Sequence, residues 1–64
     1  MKKYHLKILY PSNSDEYERQ YYIDMLEAYN YIIENSSIIF LDEDGETISL
    51  YPANFTIIEK IEYI

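Results

Sequence analysis

This 64-residue chain contains no cysteine, and no Cys/His spacing offers zinc a site. A domain this small buries only about 60% of the surface that its unfolded chain exposes. Without a disulfide or a structural metal, stability must come from tight packing, self-association or a bound partner. The length predicts a single domain, 1–64, with no linker, repeat or low-complexity tract.

Apolar residues make up 48% of the chain, too many for a disordered tail. No apolar run approaches the roughly 20 residues of a membrane span. The opening "MKKYHLKILYPS" has a basic tip, but His5 and Lys7 interrupt its apolar stretch, so it predicts a strand and not a signal peptide. A cytoplasmic protein with no membrane contact is expected.

Charge is unevenly distributed. Residues 1–19 hold four bases against three acids, whereas 20–64 hold one base, Lys60, against nine acids, within a total of −7. Such a chain is repelled by nucleic acid and anionic lipid and attracted by a basic protein surface. Lys2, Lys3, His5 and Lys7 form a basic edge too small to reverse this, so no direct nucleic-acid contact is expected. The acidity also keeps a small protein soluble.

Along the chain, "KYHLKILY" alternates, with Tyr4, Leu6, Ile8 and Tyr10 on one face and Lys3, His5, Lys7 and Leu9 on the other, as in a half-buried strand. Residues 11–16 have loop chemistry, and 17–23 predict a returning strand with Tyr17, Tyr21 and Ile23 inward and Arg19 at the rim. Asp24 and Glu27 have the spacing of a helix cap, and Leu26, Tyr29 and Ile33 follow at i, i+3, i+7. These signals predict a helix from Asp24 to Glu34, stopped by Asn35-Ser36-Ser37, with Glu27, Tyr31 and Glu34 on its outer side. "SIIFLDEDGETISLY" predicts a hairpin around Asp44-Gly45, pairing Leu41 with Ile48 and Ile39 with Leu50. A two-residue turn sets Glu43 against Glu46, so a four-residue loop in the same register competes with it. After a turn at Pro52-Ala53-Asn54, "FTIIEKIEYI" predicts a strand, with a short helix as the alternative. The expected fold is α+β, of order β-β-α-β-β-β, with one helix packed on an antiparallel sheet.

The acidic turn invites a calcium loop, which needs acids at positions 1, 3 and 5, glycine at 6 and glutamate at 12. Counting from Asp42, glycine falls at 4 and Ala53 at 12, so no metal is expected. Turn preference accounts for Asp44 and Asp42 but not for Glu43 and Glu46. Those two either keep the tip in solvent or meet Lys and Arg on a partner. The nine tyrosines exceed what a small core can supply with hydroxyl partners. Some are therefore expected at the surface, where Tyr22 and Tyr31 are candidate aromatic anchors. His5 has no acid near it in sequence, and one glycine cannot build a phosphate loop. No catalytic residue, cofactor or enzyme activity is expected.

A short, cysteine-free, acidic, tyrosine-rich chain of this kind resembles the small inhibitor proteins encoded by phages and mobile elements, among them anti-CRISPR, anti-restriction and DNA-repair-inhibitor proteins. The resemblance rests on size, charge and composition. It implies a non-catalytic inhibitor or modulator that acts as a nucleic-acid mimic in the basic groove of an enzyme such as a nuclease. The candidate partner-binding residues are Asp42, Glu43, Asp44 and Glu46 at the tip, with Glu27, Glu34, Tyr31 and Tyr22 around them. The alternative is a self-associating structural or regulatory module, a homodimer built through strand 55–63 or through the face of Ile38, Phe40 and Tyr51.

Overall fold

A computed structural model of the chain describes residues 1–9 and 21–64. The expected loop at 11–16 and the positions of Tyr10, Tyr17 and Arg19 lie outside the described residues. The described residues form six strands: β1 (Lys2–Leu9), β2 (Tyr21–Ala28), β3 (Asn30–Glu34), β4 (Ser37–Leu41), β5 (Thr47–Pro52) and β6 (Thr56–Tyr63). A 3-10 turn, Ala53–Phe55, joins the last two. The strands make two antiparallel three-stranded sheets, of order β2-β1-β6 and β3-β4-β5.

The α+β expectation is overturned: no α-helix occurs among the described residues, and Asp24–Glu34 belongs to β2 and β3. The physical reason lies in β1. Its buried Tyr4, Leu6 and Ile8 make it a central strand, whose backbone groups need a neighbour on each side. The segment 21–28 fills one side, with Tyr4 opposite Leu26 and Lys2 opposite Ala28. Asp24 does not cap a helix, because its carboxylate is engaged elsewhere: Oδ1 accepts from the Met25 amide at 2.9 Å and Oδ2 from the Tyr51 hydroxyl at 2.8 Å. Ile32 and Ile33, which are β-branched, and the aromatic Tyr31 suit a strand better than a helix.

Two corners carry the chain between sheets. At Tyr29 the strand leaves the β1 ladder and joins the β4 ladder, its amide donating to the Leu41 carbonyl at 2.8 Å. The second corner is the 3-10 turn, where the Ala53 amide donates to the Ser36 carbonyl at 2.9 Å. The inner faces then meet over a core of Tyr4, Leu6, Ile8 and Ala28 from one sheet and Ile38 and Phe40 from the other. Tyr31 and Tyr51 pack against that core, with Phe40 in edge contact with Tyr4 at 5.0 Å and with Tyr51 at 5.7 Å between ring centroids.

Where the sequence predicts a helix stop, the chain makes a hairpin. Asn35 and Ser36 both take positive φ, 51° and 62°, the conformation that a two-residue type I′ loop requires.

The Tyr51–Asp24 hydrogen bond ties the two sheets together and titrates. Burial, and then the Asp24 carboxylate that the hydroxyl serves as donor, push the Tyr51 phenol from 10.0 up to about 12. A raised phenol pKa contributes stability that is whole below pH 10 and disappears as pH rises through 12. For a partly exposed pair the contribution is about 1–2 kcal/mol after solvent screening. Tyr51→Phe should therefore lower the urea midpoint at pH 8 and shrink its difference from wild type by pH 12. An unchanging difference would show that the hydroxyl does not hold the sheets together.

Candidate functional site

The β4–β5 connection brings Asp42, Glu43, Asp44 and Glu46 to one tip. The Gly45 amide donates to the Asp42 carbonyl at 3.1 Å, and the Asp42 amide donates to the Glu46 carbonyl at 2.9 Å. Gly45 takes φ +81°, while Asp44 stays at negative φ. This is a three-residue loop, a type I turn closed by a left-handed glycine. Leu41 consequently pairs with Thr47 and not with Ile48, and the register shifts between Phe40 and Leu41. Ile39 pairs with Leu50, as expected. The loop also avoids the direct Glu43–Glu46 opposition of the two-residue alternative.

Asp42 has a different role from its neighbours. Its Oδ1 accepts from the amides of Asp44 and Glu46, each at 2.9 Å. It therefore builds the turn, whereas Glu43, Asp44 and Glu46 are exposed, and no ion pair reaches their carboxylates from the described residues. Asp42→Ala removes two hydrogen bonds and should cost about 1–2 kcal/mol. Asp42→Asn keeps an oxygen acceptor and should cost less than half of that in the same thermal melt.

The other candidate residues do not join the tip. Glu34 shares the outer face of β3 with Ile32, at the end of the sheet opposite the tip, opposite Ser37. Glu27 lies on the other sheet, opposite Lys3, on the outer face of β2. Tyr31 is not on the outside of a helix: its ring lies 5.7 Å from Tyr4 and 5.9 Å from Phe40 and belongs to the core rim. Tyr22 pairs with Ile8 and so shares the inner parity of β2 with Asp24 and Leu26, while Tyr21 and Ile23 face out, the reverse of the expected parity. Charge on Tyr22 is the least of the causes that raise the Tyr51 pKa.

Two pairings join residues too distant in sequence for spacing to reveal. His5 Nε2 and Glu62 Oε1 form a hydrogen-bonded pair on the outer face of the β2-β1-β6 sheet. That bond, and then Lys60 with its Nζ 3.9 Å from Glu62, hold the Glu62 carboxyl below its ordinary range. Lys7 sits 4.2 Å above the Tyr21 ring on the same face. The basic edge of β1 is thus largely matched within its own sheet. Among the described residues no group of three or more His, Asp or Glu is placed to hold a metal, and no helix is long and apolar enough to cross a membrane. A shallow cleft at the far end of the β2-β1-β6 sheet is lined by Met1, Lys2, Tyr29, Asn30, Tyr63 and Ile64 and includes neither His5 nor any carboxylate side chain.

Searches against protein families, curated proteins and solved structures return no match.

Proposed function

We propose that the chain is a non-catalytic binding protein that presents its β4–β5 tip to a basic surface of a partner, as an inhibitor or modulator of a nucleic-acid-processing enzyme would. The observation that carries this is the division of labour at the tip. Asp42 is consumed in fixing the turn, and three exposed carboxylates are held outward on it with no cation among the described residues to neutralise them. A fixed turn lowers the backbone freedom lost on binding, and its exposed carboxylates steer a cationic partner in a salt-dependent way. Supporting the non-catalytic assignment, the single histidine is engaged by Glu62 on an open sheet face.

The site is smaller than the eight residues expected from sequence. Glu43, Asp44 and Glu46 remain as contact residues, and Tyr31 is assigned to packing. Self-association keeps one of its two candidate surfaces. The face of Ile38, Phe40 and Tyr51 is interior, whereas β6 is an edge strand. Glu59 and Lys60 on β6, and the register break opposite His5 and Leu6, are features that guard edges against pairing.

The test uses decalysine as the cationic probe. Wild type should bind it, and binding should fall about tenfold or more between low and physiological ionic strength. The triple change Glu43→Gln, Asp44→Asn, Glu46→Gln should abolish most of that binding with the melting curve unchanged. Wild-type affinity in the triple variant would overturn the proposal. A monomer–dimer equilibrium disrupted by a proline in β6 would favour self-association.

A further inference from the structure

We propose that the outer face of the β3-β4-β5 sheet is the seat of a cationic amphipathic helix from the partner. The proposal rests on the tip being a docking element and extends the contact onto the sheet behind it. In register, Ile32, Ile39 and Leu50 form one row across all three strands, and Leu41 and Ile48 lie beside it toward the tip. Leu50 is 60% exposed, and Ile32 and Ile48 are each 43% exposed. No charged side chain interrupts these rows.

The other sheet shows what a solvent-facing side of this protein looks like. Its outer face also exposes Ile23, Met25 and Ile57, but Lys3, His5 and Lys7 run in file between them, with Glu27 and Glu62 flanking Lys3. An uninterrupted aliphatic patch on the corresponding side of the second sheet marks a surface built to be covered.

Charge selects the occupant. The apolar rows end at the acidic tip on one side and run toward Glu34 on the other. A second copy stacked face to face with aligned strands would set tip against tip, or tip against Glu34, and either meeting repels. A helix with basic residues at both ends meets acids at both ends. The β4 strand and its turn cover about 17–20 Å at roughly 3.4 Å per residue. That length matches about 12 residues of helix at 1.5 Å per residue, or three turns. Such a helix would place apolar residues at i, i+3, i+4 and i+7 on the sheet and lysine or arginine beyond them.

Two synthetic peptides of about 14 residues test this, both made only of leucine and lysine in equal composition. One has its leucines at helical spacing and the other is scrambled. Titrations followed by the amide chemical shifts of the protein should show the amphipathic peptide binding about tenfold or more tightly than the scrambled one. Leu50→Thr and Ile32→Thr, on two different strands, should each weaken only the amphipathic peptide, with unchanged circular dichroism. Equal binding of the two peptides, or indifference to both substitutions, overturns the proposal while leaving the tip's role intact. Binding that needs Leu50 and Ile32 but not the tip carboxylates overturns the tip's role and, with it, the cationic helix as the occupant. A dimer in sedimentation that Leu50→Thr dissolves makes a second copy the occupant and overturns the proposal.

Discussion

Phe40→Ala is expected to leave the chain unfolded at room temperature. Phe40 is fully buried, and its ring touches those of Tyr4, Tyr31 and Tyr51, so it joins both sheets at the centre of the core. Truncating a buried phenylalanine costs about 3–5 kcal/mol. A domain of this length holds roughly 3–10 kcal/mol in all, at 0.05–0.15 kcal/mol per residue. Among the described residues only five other apolar residues are buried, Tyr4, Leu6, Ile8, Ala28 and Ile38, so the core has few side chains with which to fill the space. Loss of amide chemical-shift dispersion would be the readout. A cooperative melt within a few degrees of wild type would show that the inter-sheet core is not where stability resides.

Tyr4→Phe should have the opposite sign. Tyr4 has no exposed surface, and its hydroxyl finds no hydrogen-bond partner. A buried polar group left unpaired costs about 1–3 kcal/mol, while the ring itself is well placed against Tyr31 and Phe40. Removing one oxygen therefore keeps the packing and removes the penalty. A gain of about 1–2 kcal/mol is expected, which raises the melting temperature of a domain this size by roughly 4–8 °C per kcal/mol. Thr56, whose Oγ1 is also buried without a partner, should respond to valine in the same direction but less. A fall in melting temperature for Tyr4→Phe would mean that the hydroxyl is satisfied.

Much of the β structure is legible in the sequence because period-2 alternation is a local signal. The strand around Tyr4, Leu6 and Ile8 and the pairing of Ile39 with Leu50 follow from it, whereas the face of Ile38, Phe40 and Tyr51, expected as a docking surface for a second copy, is interior. The segment 24–34 misleads because its helical stripe and its cap are also local signals, and the competing demand is not. That demand comes from β1, which needs a second neighbour, and from Tyr51, which occupies the carboxylate that would have capped the helix. The tip is legible as a turn. The separation of Asp42 from its three acidic neighbours is not, since it depends on which amides one carboxylate reaches. His5 appeared without an acid because Glu62 is 57 positions away and the topology alone brings them together.

The two sheets differ in how far apart their strands lie along the chain. The β3-β4-β5 meander closes through two short loops, whereas β1 must find β6 across nearly the whole intervening polypeptide. Loop-closure entropy makes the second event the slower one. The meander is thus the natural nucleus. Changes at the Asn35-Ser36 loop should register mainly in the refolding rate, and changes in β6 mainly in the rate of unfolding. A nascent chain would hold one sheet complete and the other lacking an edge until its last strand arrived.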